Sequence, residues 1–66
     1  MDIVEILTEA IESERKDREK YLELAKDAPD PETRAALEQL ARDEEHHEKV
    51  LRERLAAVRL MSDLNR

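Results

Sequence analysis

Hydrophobic residues recur along this chain at alternating steps of three and four positions, the spacing that places side chains on one face of an α-helix. In the first half, the face comprises Val4, Leu7, Ile11, Glu14, Arg18, Tyr21, Ala25 and Ala28. In the second half, it comprises Leu37, Leu40, Glu44, His47, Leu51, Arg54, Val58 and Met61. The pattern predicts two long amphipathic helices, each with charged residues in the middle of its apolar face.

A single turn separates the predicted helices. The segment "KDAPDPET" contains both prolines of a sequence that has no glycine. Pro31 suits the first position of a helix, where a backbone N–H has no partner, and Asp30 precedes it as an N-cap. Asp2 is expected to cap the first helix, with Glu5 three positions later in a capping-box arrangement. We predict one domain, with helix 1 at about 2–28, a turn at 29–30 and helix 2 at about 31–62.

The predicted fold class is all-α, an antiparallel two-helix hairpin, because so short a turn cannot place the helices otherwise. A chain of 66 residues removes only about 60% of its unfolded surface from water, and this one has no Phe or Trp for its core. One hairpin leaves the apolar face half covered. We therefore expect two copies to pack face to face as a four-helix bundle.

The net charge of the chain indicates which classes of binding partner it disfavours. Eighteen acidic and twelve basic residues give a net charge of −6, which disfavours nucleic acid and is compatible with cations. No apolar segment approaches the roughly 20 residues needed to span a bilayer, and no signal-peptide pattern follows the N-terminus. Without cysteine, a metal site must use oxygen and nitrogen ligands. A cytoplasmic protein without a nucleic-acid or membrane partner is expected.

Candidate ligands lie in the segment "RDEEHHEK", residues 42–49. Glu44 and His47 fall on the predicted apolar face, whereas Glu45, His46 and Glu48 are expected on the flank or the outer surface. Counted from residue 30 in the turn, Glu14 lies 16 residues down helix 1, and Glu44 and His47 lie 14 and 17 residues up helix 2. All three should lie at one height, roughly 20–25 Å from the turn.

A dimer would bring four carboxylates and two imidazoles to that height. Carboxylates at close range repel one another and lose hydration, and divalent cations remove this cost. Mixed carboxylate and imidazole ligands suit iron or manganese, with zinc as a common substitute. The spacing Glu44-x-x-His47 places both ligands on one helix face. These residues predict a two-metal centre between subunits.

The combination of Glu14, Tyr21 and Glu44-x-x-His47 resembles the ferritin-like di-iron carboxylate proteins, in particular the half-size rubrerythrin-type hairpins and the encapsulated ferritins. The similarity covers roughly residues 7–55, including "YLELAKDAPDPE" and "RDEEHH". The resemblance implies that Glu14, Glu44 and His47 are the metal ligands and catalytic residues. It also implies a homodimer that holds two iron ions.

The residues around these ligands are expected to support them. By resemblance, Tyr21 matches a tyrosine beside the family's metal site, and Asp43 matches an acid that accepts a hydrogen bond from a ligating imidazole. Plainer interpretations are a core position for Tyr21 and surface charge for Asp43. Arg18 either balances the charge of the site or forms an ion pair with Glu14.

Two departures from the encapsulated ferritins limit the resemblance. Those proteins have further acids beside the first-helix ligand that form an outer metal-uptake site, but here Ser13 and Lys16 are the corresponding neighbours. The ending "RLMSDLNR" does not clearly match a cargo-targeting tail, so the sequence does not decide whether the protein enters an encapsulin shell. A ring of dimers, as in the encapsulated ferritins, is a further alternative. The cysteine-free chain also lacks a rubredoxin-like electron-transfer module.

Three functions remain open from the sequence. The first is a ferroxidase that oxidises Fe²⁺ for iron storage or detoxification, in the cytoplasm or inside an encapsulin compartment. The second is a rubrerythrin-like peroxide reductase that uses the same two-metal site with an external electron donor. The third is a non-enzymatic helical dimerisation module, with a structural metal or none.

Overall fold

The computed structural model describes residues 1–65, and Arg66 of the predicted domain lies outside the described residues. Two helices form in this range, α1 (Ile3–Lys26) and α2 (Pro31–Leu64). Both begin at an aspartate cap, since a carboxylate oxygen of Asp2 accepts a hydrogen bond from the Glu5 N–H and one of Asp30 accepts from the Thr33 N–H. These bonds satisfy backbone donors that have no partner within the helix.

The helix ends differ from the predicted limits by two residues. α1 ends at Lys26 rather than near residue 28, with Asp27 as its C-cap. Pro29 disfavours helical geometry at Ala28, so α1 does not extend to that residue. α2 continues to Leu64, beyond the predicted limit near residue 62.

The helices form the predicted all-α antiparallel hairpin, a rod of 55 × 15 × 14 Å. At the open end, Leu7 and Ile11 of α1 pack against Leu55 and Val58 of α2. Nearer the turn, the buried residues are alanines on each helix, Ala25 and Ala41. The core is therefore thin, and its apolar part is divided by the charged residues at mid-height.

In the hairpin, α1 covers only part of the predicted apolar face of α2. Leu40 and Met61 are 42% and 45% exposed, and Arg54 and His47 are exposed as well. The buried or half-buried members of the predicted face are Leu37, Glu44, Leu51 and Val58, and Ala41, Glu48 and Leu55 beside it are also turned towards α1. Apolar residues follow two adjacent lines along α2, and their period alone does not show which line α1 covers.

The uncovered apolar line of α2 shares one side of the hairpin with a similar line on α1. The contact between Glu14 and His47 places both lines on the same side, here called the site face. Its large apolar side chains remain 42–50% exposed: Ile3, Ile6 and Leu24 on α1, with Leu40, Val50 and Met61 on α2. The chain exposes 5120 Å² in total. A compact monomer of this size would expose about 4,400 Å².

Candidate metal centre

Three predicted ligands meet at mid-height on the site face. Glu14 of α1 and Glu44 and His47 of α2 each offer one ligand atom, and these atoms lie within 4.8 Å of one another. Nδ1 of His47 lies 3.3 Å from Oε2 of Glu14 and 3.8 Å from Oε2 of Glu44. The cluster is open to one side, because the His47 side chain is 54% exposed while those of Glu14 and Glu44 are 25% and 16% exposed.

The cluster has the chemistry and the size of a metal site. Ligand bonds of about 2.0–2.2 Å place two donors on one ion roughly 2.8 Å apart when they are adjacent and up to about 4.4 Å apart when they are opposite, and both distances from the imidazole fall in this range. Within residues 1–65, neither Glu14 nor Glu44 forms an ion pair with lysine or arginine. Among residues 1–65, these two half-buried carboxylates thus have only His47 as a partner. An iron, manganese or zinc ion would supply the missing positive charge.

The hairpin does not bring all the predicted supporting residues to the ligands. Tyr21 is half-buried, and the Lys20 ammonium lies 5.0 Å from its ring centre. Asp43 accepts a hydrogen bond of 2.8 Å from the Gln39 amide, and no hydrogen bond joins it to His47 among the contacts of residues 1–65. His46 is exposed, as expected. The supporting roles of Tyr21 and Asp43 stay predictions.

Arg18 turns away from the ligands and crosses to the other helix. Its Nη1 donates a hydrogen bond of 2.6 Å to Oε1 of Glu48, whose Oε2 accepts one of 2.8 Å from Nε of Arg52. Hydrogen bonds from Arg52 and then Arg18 lower the pKa of Glu48. The expectation that Glu48 lies on the flank or outer surface is wrong, because its side chain is only 12% exposed. A partner 30 positions away along the chain gives no local signal in the sequence.

Arg52, which also bonds Glu48, belongs to a second face of the hairpin that is rich in ion pairs. On α1, Arg15 forms ion pairs with both Glu12 and Glu19, one turn to either side. The hydrogen bond from Arg15 lowers the pKa of Glu12, and the charge of Arg52 on α2 acts in the same direction. The ion-pair face, as we call it, consists of Glu12, Arg15, Glu19, Glu48 and Arg52.

Comparison with protein families identifies the fold. A family model described as Rubrerythrin matches residues 5–66, which include both helices and all three candidate ligands. The chain belongs to the rubrerythrin family. This confirms the ferritin-like resemblance, and rubrerythrin-family proteins generally bind iron. No curated protein and no solved structure matched the chain. Neither described helix of this rubrerythrin-family chain is long and apolar enough to cross a membrane.

Proposed function

We propose that this chain is the subunit of a homodimer that binds two iron ions at its interface and oxidises Fe²⁺ there, for iron storage or detoxification. The observation that carries the proposal is the convergence of Glu14, Glu44 and His47 from two helices onto one small volume. Within residues 1–65, neither carboxylate forms an ion pair with lysine or arginine. Carboxylate and imidazole ligands of this kind suit iron, with manganese or zinc as substitutes.

The surroundings of the ligands support a second copy of this chain as the partner. The three ligands lie in the middle of the site face, with exposed apolar residues towards both ends. A two-fold axis brings the same patch of both copies together, so each ligand would meet its counterpart at one height. Such a dimer would cover the open side of the cluster. It would supply four carboxylates and two imidazoles to two metal ions.

The proposed chemistry assigns separate tasks to protein and metal. The carboxylates of Glu14 and Glu44 would bind and neutralise the cations, and His47 would bind through Nδ1, the nitrogen that faces them. Apolar neighbours on the site face would exclude bulk water. Bound as substrate, two Fe²⁺ ions give up two electrons in total, and dioxygen or peroxide takes them up.

The family match favours a second candidate function, the reduction of peroxide at the same site. Two electrons and two protons convert one molecule of hydrogen peroxide into two of water, and an external donor then restores Fe²⁺. A ferroxidase instead accumulates ferric product. Oxidant preference and the fate of the iron distinguish the two. A cytoplasmic location, a ring of dimers and an encapsulin shell stay predictions on which the described residues do not bear.

The test uses the whole chain purified from iron-supplemented medium. We expect about one iron per chain, since a dimer would hold two, and oxidation of added Fe²⁺ by dioxygen or peroxide. His47→Ala should slow this oxidation by roughly 100-fold or more, because loss of even an indirect partner of a metal ligand typically costs 10- to 100-fold. His46→Ala, the neighbouring exposed imidazole, is the matched control and should leave the rate unchanged.

The possible results separate the three functions. Oxidation with either oxidant and a ferric mineral as product supports the ferroxidase. A strong preference for peroxide, with turnover only when a reductant is present, supports the peroxide reductase. Absence of bound metal and of Fe²⁺ oxidation in the unaltered protein would remove both enzymes and leave the helical dimerisation module.

A further inference from the structure

We propose that Glu48 is a positioning residue that holds Arg18 away from the metal ligands and so keeps their carboxylates free for a cation. This inference rests on the metal site proposed above. It concerns two residues that are not placed among its ligands. It explains why a charged pair lies between the helices at mid-height, where apolar residues would otherwise pack.

The sequence places Arg18 where it can compete with a metal ion. Arg18 follows Glu14 by four residues on α1, the spacing at which an acid and a base pair along a helix. Helical side chains lean towards the N-terminus, so the guanidinium extends back to the height of Glu14. Glu48 follows Glu44 by four residues on α2 and leans towards it in the same way. Arg18 therefore has three carboxylates within its reach.

The structure shows which carboxylate Arg18 selects. It donates to Glu48 at 2.6 Å, and the described contacts include no ion pair between Arg18 and Glu14 or Glu44. The Arg18 and Glu48 side chains are 25% and 12% exposed, so solvent screens the pair less than a surface pair. Arg52 holds the other oxygen of Glu48 at 2.8 Å and fixes its direction.

The direction of this pair matters for the site. Glu48 belongs to the ion-pair face, whereas Glu14 and His47 lie on the site face. Glu48 thus holds the guanidinium between the helices, beside Arg52 of the ion-pair face. Without its negative charge, the nearest carboxylates to Arg18 would be Glu14 and Glu44. A guanidinium bonded to those oxygens would have to leave before a metal ion could bind.

The experiment is a double-mutant cycle on the whole chain, with Co²⁺ as the probe and calorimetric titration as the measurement. Glu48→Gln should weaken Co²⁺ binding by roughly tenfold, since charge-assisted bonds of Arg18 to the ligands must first break. In the Arg18→Met background, the same Glu48→Gln change should alter the affinity by less than about twofold, because no competing cation remains. Glu45→Gln, an exposed neighbour of Glu44, is the control for removing one negative charge.

A direct structural readout accompanies the cycle. In metal-free Glu48→Gln, the Arg18 side-chain nitrogen signals in NMR should shift, and a Glu14→Gln change in that background should shift them again. Circular dichroism first establishes that each variant stays helical. Should Glu48→Gln not fold, Glu48→Asp takes its place, because it keeps the charge but shortens the reach to Arg18 by one methylene. Binding should weaken in the same direction.

The outcomes distinguish this inference from the proposed function. Equal weakening by Glu48→Gln with and without Arg18 would mean that Glu48 acts only through its charge, and the positioning role would be overturned. Unchanged affinity in Glu48→Gln would overturn it too, while the metal site would stand. If the unaltered protein binds no Co²⁺ and no Fe²⁺, the metal site itself fails and this inference fails with it.

Discussion

The site face and the ion-pair face run along the same two helices but differ in whether their carboxylates form ion pairs with arginine. On the ion-pair face, each carboxylate bonds an arginine, as Glu12 does with Arg15 and Glu48 with Arg52. On the site face, Glu14 and Glu44 have no lysine or arginine partner within residues 1–65. The site face also carries most of the large apolar side chains that the hairpin leaves exposed.

This difference shows which acids of an acidic protein are candidates for function. A solvent-exposed carboxylate that is already paired with a base needs no further positive charge, and such pairs contribute little to stability. Carboxylates that lack a lysine or arginine partner and are half-buried among apolar residues are unfavourable until a cation binds them and a second surface covers them. The number of acids along the chain is therefore less informative than the lack, within residues 1–65, of a lysine or arginine ion pair at Glu14 and Glu44.

The first prediction tests whether a metal ion offsets the negative charge of Glu14 and Glu44 on the site face. With Co²⁺ at 100 times its dissociation constant, each site should gain about 2.7 kcal/mol, which corresponds to a rise in Tm on the order of 10 °C. Glu44→Gln should lose most of this rise, because a ligand is gone. Its metal-free dimer should be at least as stable as that of the unaltered protein, because one repelling charge per chain is removed.

The matched control for this prediction is Glu45→Gln, which removes the neighbouring exposed carboxylate. Its Tm should rise with Co²⁺ as in the unaltered protein. Thermal unfolding followed by circular dichroism, at one protein concentration with and without EDTA, provides the measurement. An equal Co²⁺ response in Glu44→Gln would show that the metal stabilises the protein elsewhere.

The convergence of the three candidate ligands was predictable from the sequence because a helix has a fixed rise per residue and the turn is short. Glu14, Glu44 and His47 are nearly equal numbers of residues from the turn, so their common height follows by counting. The caps were predictable for a similar reason, since the two prolines and the aspartates act locally. Such features depend on neighbours in the chain.

The remaining features depend on contacts between distant parts of the chain. Ala41 rather than Leu40 faces α1, although both fit a helical period, because the choice depends on which apolar line the partner helix covers. Glu48 is only 12% exposed and bonds Arg18 of the other helix, a contact that the local sequence does not indicate. Asp43 accepts a hydrogen bond from Gln39 on its own helix. Spacing alone does not show whether Asp43 bonds to this amide or to an imidazole.

The second prediction tests whether the site face is the dimer interface. Leu24 on the site face and Leu22 on the other side of α1 are equally exposed, at 50% and 46%. Leu24→Lys should weaken the dimer at least about tenfold, because it places a charge in an apolar contact. Leu22→Lys should leave association unchanged. Sedimentation velocity across a range of concentrations measures both, and the reverse order of effects would move the interface to the opposite face.

The smallest expected effect belongs to the ion-pair face. The hydrogen bond from Arg15 lowers the pKa of Glu12 below its usual 4.5, so the ionised carboxylate stabilises the fold above that pH and this contribution disappears as pH falls through the lowered pKa. Glu12→Gln should therefore lower the Tm by roughly 1–3 °C at pH 7, and the difference should vanish towards acid and shrink in high salt. Glu9→Gln, which changes an exposed acid without an ion pair in residues 1–65, is the matched control and should leave the Tm at pH 7 unchanged. Thermal unfolding between pH 7 and 3, at one protein concentration, measures all three proteins. A loss of Tm in Glu12→Gln that is as large at pH 3 as at pH 7 would show that the ionised carboxylate of Glu12 is not its cause.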